Sequence, residues 1–140
     1  MKFGKDFVGV SCFGLVVNRK GEILLAKKKT RNYWSLPGGK LELMEQTKKC
    51  AEREVLEETG VKIKAEKLLC FEERIDKKNK EHWLAFYYKA KPISGKAMVK
   101  EPDKFEDVKW FNHARLPKNL SEYGWRISRL VFGNKAKKQS

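Results

Sequence analysis

Gly39-Lys-Leu-Glu-Leu-Met-Glu45, seven further residues, then Arg53-Glu54-Val55-Leu56-Glu57-Glu58-Thr59-Gly60-Val61: the reading of this 140-residue chain turns on that stretch. Its form is Gly-x5-Glu-x7-Arg-Glu-U-x-Glu-Glu-x-Gly-U, with U apolar. Residues 47–59 are expected to form a helix that Thr47 can cap and Gly60 can stop in the left-handed conformation. At about 100° per residue, Glu54, Glu57 and Glu58 stand at i, i+3 and i+4 and share one face. Ala51 and Val55 lie to one side, where they can face a sheet. Like charges at this spacing destabilise a helix by roughly a few tenths of a kcal/mol. A helix serving structure alone gains nothing from them. A divalent cation makes the arrangement favourable, and an all-oxygen site that retains waters and takes phosphate oxygens suits Mg²⁺, with Mn²⁺ as a substitute.

The flanking segments supply strands. Residues 7–17 are apolar and β-branched on both alternating faces, as in a strand buried from two sides. Residues 18–21 read as a turn, and 22–26 are expected to return beside the first strand as a hairpin. Residues 30–39 read as a loop that carries Tyr33, Trp34 and Pro37 into the acidic stretch. Beyond the helix, 64–75 and 81–90 read as strands joined by a polar turn at 76–80. Trp83, Ala85 and Tyr87 fall on one side of the second, and Leu84, Phe86 and Tyr88 on the other, which suits a central strand. Residues 92–103 are looser, 105–111 read as a short strand, and 120–131 read as a second helix. Tyr123, Ile127, Leu130 and Val131 recur there at helical spacing, and Gly133 ends it. The whole reads as one α/β domain over 1–133, a mixed sheet between helical layers, with a basic tail at 134–140 expected to be disordered.

Composition narrows the setting. Hydrophobic residues make up 41% and charged residues 36%, a balance that suits a soluble globular domain with a charged surface. No apolar run reaches the length of a membrane span and the first residues lack a signal-peptide core, so the expected location is cytoplasmic. Cys12, Cys50 and Cys70 form no Cys-x-x-Cys pair and sit in or beside apolar segments, which reads as free thiols in a reducing compartment. With His82 and His113 the only histidines, a zinc site has almost no material. The net charge of +14 can attract polyphosphates or nucleic acid, yet it rests on 25 lysines against 7 arginines, scattered along the chain. A nucleic-acid partner is therefore allowed but not favoured.

The stretch from Gly39 to Val61 fills every fixed position of the Nudix box, and the chain resembles the Nudix hydrolases. Chance gives such a match with a probability on the order of 10⁻⁹ per starting position. The resemblance implies the Nudix fold, an α/β/α sandwich, and a hydrolase that cleaves a phosphoanhydride of a nucleoside diphosphate linked to another group. It makes Glu57 and Glu58 the principal metal-binding pair and Glu54 a further ligand that also orients or deprotonates water. It makes Arg53 the arginine that holds the glutamates, and Glu45 a member of that network. The Gly38 carbonyl matches a backbone metal ligand. A further metal-binding glutamate from a later loop is expected at Glu101, with Glu106 second. One departure stands out: relatives often carry glycine just before the first box glutamate, where this chain has Met44.

For the substrate pocket, Lys40, Tyr33 and Trp34 are the leading candidates, with Trp34 favoured because it leads directly into the box. The segments Val8-Gly-Val, Trp34-Ser-Leu-Pro-Gly-Gly and Val108-Lys-Trp-Phe look most like the small MutT-type branch. That branch converts nucleoside triphosphates, oxidised ones included, to a monophosphate and pyrophosphate. The alternatives are an ADP-ribose or nucleotide-sugar pyrophosphatase, a pyrophosphohydrolase of RNA 5′ ends, and a nucleotide-binding module without catalysis. Sequence leaves monomer and homodimer both open.

Overall fold

Strand β1 (Gly9–Val16) sits inside the first sheet of a computed structural model that describes residues 1–140. Its neighbours are β4 (Gly38–Lys40), antiparallel, and β6 (Glu81–Ser94), parallel. The long strand β5 (Lys62–Asp76) pairs antiparallel with β6 and closes the order β4-β1-β6-β5. β6 is thus internal, as its two apolar sides required, with Ala85 and Tyr87 fully buried on one of them.

A second sheet has the order β3-β2-β7, formed by Trp34–Ser35, Glu22–Lys28 and Phe105–Asn112. The hairpin expected between the first two strands is corrected here. β2 meets β1 only through a bridge from Val17 to Ile23, and pairs instead with β3 and β7. The reason lies in its side chains: Ile23, Leu24, Leu25 and Ala26 are all fully buried, so this strand needs cover on both faces and partners on both edges.

Helix α1 (Thr47–Thr59) buries Cys50, Ala51 and Val55 against the first sheet. Thr47 does not cap it. Gln46 holds the cap position without a side-chain bond, and the Thr47 hydroxyl instead joins the Tyr88 hydroxyl at 2.7 Å, tying the helix to β6. Gly60 ends the helix at φ 77°, and its N–H donates to the Leu56 carbonyl at 3.0 Å, a left-handed cap that favours glycine.

Helix α2 (Glu122–Phe132) starts at Ser121, whose side chain accepts from the Gly124 N–H. It lays Ile127 and Ser128 on the core of Leu15, Ile23, Leu25, Ala85, Tyr87 and Leu116. Leu130, read as part of the apolar stripe, is 60% exposed. No helix is long and apolar enough to cross a membrane.

The tail is not loose in this structure. After a single 3-10 turn at Gly133–Lys135, Ala136 is buried and the chain runs beside residues 113–116. Leu116 donates to the Lys137 carbonyl, Lys137 to that of His113, and Gln139 to that of Leu116, at 2.8–2.9 Å. Otherwise unpaired backbone groups after β7 find their partners there, a reason that charge composition does not reveal. All three cysteines are free.

Candidate active site

The box folds into two short pieces that face each other. β4 pairs Gly38 with Phe13, Gly39 with Cys12 and Lys40 with Ser11, which fixes the approach to the glutamate loop. A Cβ on Gly39 would run into the Glu54 carboxylate, so any larger residue must push that carboxylate aside.

Arg53 sits at the centre. Its Nε donates to Glu45 Oε2 at 2.7 Å and its Nη2 to Glu45 Oε1 at 2.9 Å, a two-pronged grip. Nη1 donates to Glu54 Oε1 at 2.8 Å and reaches Glu57 Oε1 at 3.3 Å; Nη2 also donates to the Lys40 carbonyl at 3.0 Å. The guanidinium beside Glu45 holds that carboxyl down at about 2, and the surrounding acids push Arg53 further up. Arg53 thus bonds Glu45, Glu54 and Glu57 together.

Glu58 lies apart from the arginine. It is only 6% exposed, and its Oε1 accepts from the Gly38 N–H at 3.2 Å. Burial is the main force raising its pKa to about 8, against the help of that N–H; Glu54 is raised too, again chiefly by burial. Glu57 is the outermost of the three.

Glu101 comes close enough for its charge to be felt at both Glu54 and Glu58. Its carbonyl accepts from the N–H groups of Lys104 and Phe105 at 2.9 Å, closing a tight turn. The preceding segment is pinned to the end of α1, with the Met98 N–H on the Thr59 carbonyl at 2.9 Å. Glu106 is instead engaged by Lys27 at 3.0 Å.

The substrate candidates divide. Trp34 is corrected: it is 8% exposed and packs edge-on against Phe111 at 4.8 Å in the main core, because β3 turns it inward. Tyr33 is half-buried, with the Arg31 guanidinium 5.7 Å from its ring centre. Lys40 extends its ammonium towards the Phe3 ring, 5.6 Å away, and contributes its carbonyl to Arg53.

One cation escaped the sequence reading. Lys28, at the end of β2, is half-buried within range of Glu54, Glu58, Arg31 and Lys104; burial, then Arg31, lower its pKa. No motif marks it. Its only signal is its place two residues after a buried run of four.

A metal fits this donor set. Every donor is a hard oxygen, and Glu58 is a buried carboxylate whose only protein partner is one N–H. No three acidic, histidine or cysteine side chains stand in metal-binding geometry here, since Arg53 lies among the carboxylates instead. Two surface concavities of about 410 and 530 Å³ lie elsewhere, at the N-terminal segment and beside Phe132.

A site of this kind belongs to hydrolases of phosphoanhydrides, and comparison with known proteins agrees. The NUDIX domain profile matches residues 6–131, and the chain belongs to that family. It is a Nudix pyrophosphohydrolase. It is 28% identical to a MutT-like protein of Streptomyces ambofaciens over 89% of this chain and 77% of that one. It is 30% identical, over 75% of this chain and 67% of the relative, to a Bacillus subtilis protein with the provisional name 8-oxo-dGTP diphosphatase. The crystal structure of a MutT NUDIX hydrolase from Burkholderia pseudomallei matches with a TM-score of 0.78 at 37% identity, covering 90% of this chain and 99% of that one. The α/β Nudix fold is therefore shown, and enzymes of this family use divalent metal ions.

Proposed function

We propose that this enzyme uses Mg²⁺ to hydrolyse nucleoside triphosphates, oxidised guanine nucleotides among them, to a monophosphate and pyrophosphate. The observation that carries the reading is the Arg53 clamp. One guanidinium holds Glu45, Glu54 and Glu57 in a fixed array while Glu58 stays buried without a cationic partner. Glu57 and Glu58 hold the metal, joined by Glu54, the Gly38 carbonyl and Glu101. Glu101 is preferred to Glu106 because its charge is felt at both Glu54 and Glu58, although Lys104 approaches it at 3.6 Å. Bound there, Mg²⁺ supplies charge neutralisation at the phosphates and acidifies a water. Glu54 takes the proton of the attacking water, a contribution of about 10²–10⁴-fold. Lys28, close enough to feel the charges of Glu54 and Glu58, draws the polyphosphate in.

The provisional name of the Bacillus subtilis relative favours an oxidised guanine triphosphate. A human relative, the 8-oxo-dGDP phosphatase NUDT18, is 31% identical, but this chain spans 32% of its length. The diphosphate therefore belongs in the same assay. Product analysis with Mg²⁺ over triphosphates, 8-oxo-dGTP, 8-oxo-dGDP and ADP-ribose tests the reading. Pyrophosphate from a triphosphate is the expected result, together with a drop of at least about 10²-fold in Glu57→Gln. Unchanged turnover in Glu57→Gln would sink the assignment, and AMP from ADP-ribose alone would replace the substrate.

A further inference from the structure

On the opposite face of the first sheet, β5 directs Arg74 into a nest of rings. Its guanidinium carbon is 3.7 Å from the Tyr123 ring centre, 5.2 Å from that of Phe13 and 5.7 Å from that of Tyr87. It donates to the Tyr87 hydroxyl, while its Nε is buried with no partner at all. No carboxylate pairs with it: neighbouring Glu72 is taken by Arg126 at 3.0 Å. Burial is the largest influence on Arg74 and lowers its pKa, with Arg31 and Arg126 adding like charge.

A half-buried arginine with one donor stranded out of water is a poor structural device. An apolar side chain of similar volume would fill the same space without stranding a donor. What the arrangement offers is a set of fixed N–H donors between flat aromatic faces. The nest also adjoins the box through Phe13. Phe13 stands opposite Gly38 in the register of β1 and β4, one residue from the box. The charge of Arg31 is felt at Lys28, beside the acids, and at Arg74.

We infer that Arg74 is a specificity-determining residue for the nucleobase, donating to a keto oxygen at the edge of the base while Tyr123 and Phe13 hold the guanidinium in place. This rests on the nucleotide reading above and deepens it. Guanine, 8-oxoguanine and hypoxanthine present a carbonyl acceptor at the six-position. Adenine presents an amino group there, which sets donor against donor.

The full chain is titrated with dIMP and with dAMP, which differ at that edge of the purine, and its Mg²⁺-dependent kcat/KM is measured on dITP and dATP. The wild type is expected to favour the keto base by about tenfold or more, the discrimination typical of a hydrogen bond to a charged group. Arg74→Met should remove that preference by weakening dIMP and leave dAMP within about twofold. Arg74→Lys and Tyr123→Leu serve as second variants should the first fail to fold, and each should shrink the ratio in the same direction.

Equal affinities in the wild type, an unchanged ratio in the variants, or an equal loss on both bases would each overturn the role given to Arg74. A keto preference in binding with no hydrolysis of dITP would instead overturn the triphosphate reading and support the base-reading role. Hydrolysis of both triphosphates at one rate, unaltered in the variants, would do the reverse.

Discussion

Arg53 and Arg74 lie on opposite sides of the same sheet and live in opposite chemistries. Arg53 is saturated: Glu45, Glu54, Glu57 and a backbone carbonyl take its donors, and the acids push its pKa up. Arg74 has a phenol hydroxyl, three rings and an idle Nε, and burial pulls its pKa down. A guanidinium with all its donors committed is a scaffold part. One with a buried donor to spare is free for the base-reading role proposed above.

The sharpest way to break that contrast is to swap chemistry at each site in turn. Arg53→Lys keeps the charge and loses the two-pronged grip on Glu45 and the branch to Glu54. A misplacement of the array on the order of 1 Å is enough to cost about 10²-fold in turnover, and steady-state kinetics should show a loss of that size. Gly39→Ala attacks the same array from the other side, because the added methyl must displace the Glu54 carboxylate. Turnover should fall about 10²-fold while circular dichroism stays that of the wild type. Stability then separates the two arginines. Arg53→Met should cost about 2–3 kcal/mol in urea unfolding, since it strands grouped carboxylates. Arg74→Met should cost under about 1 kcal/mol or stabilise, because no acid loses a partner. Equal losses would mean that Arg74 too is a scaffold part.

The two sites were unequally legible in the sequence. The acidic one is local: Arg53, Glu54, Glu57 and Glu58 fall within two helical turns, so 3.6-residue periodicity places them together without any tertiary information. The Arg74 nest is assembled from β1, β5, β6 and α2, and no spacing along the chain connects Phe13, Arg74, Tyr87 and Tyr123. The long strands were legible, with β6 internal as its alternation required, whereas β3 and β4 begin inside the segment 30–39 that read as a loop. Strand partnership was not, because β2 could satisfy the turn at 18–21 beside either sheet and its buried run of four decided the matter. Trp34 misled for a similar reason. Its place beside the box suggested the substrate, while the two-residue strand that buries it has no sequence signature.

Met44 sharpens the comparison at a smaller scale, because the acidic loop carries strain that the ring nest does not. It adopts φ 70°, where a side chain costs roughly 1–2 kcal/mol, and it is 95% exposed, so no packing compensates. This is the position where relatives often carry glycine. Met44→Gly should recover about 0.5–1 kcal/mol after the entropic penalty of glycine, or about 2–4 °C in thermal midpoint. A lower midpoint would show that the loop holds Met44 by contacts outweighing the strain.

The last contrast is in pH dependence, at Glu45. Its carboxyl titrates near 4.5 when free and near 2 in the fold, held down by Arg53. A depressed carboxyl adds stability that is fully present above the unfolded value and is lost as the pH falls through the folded one. Glu45→Gln removes that contribution. The variant should therefore melt below the wild type at neutral pH, with the gap narrowing from about pH 5 and closing near pH 2. A gap that stayed constant over this window would mean that Arg53 is held by the shape of the loop and by the Lys40 carbonyl rather than by charge. The Arg53 site would then differ from the Arg74 site in packing alone, and the contrast between a saturated and an idle guanidinium would lose its electrostatic basis.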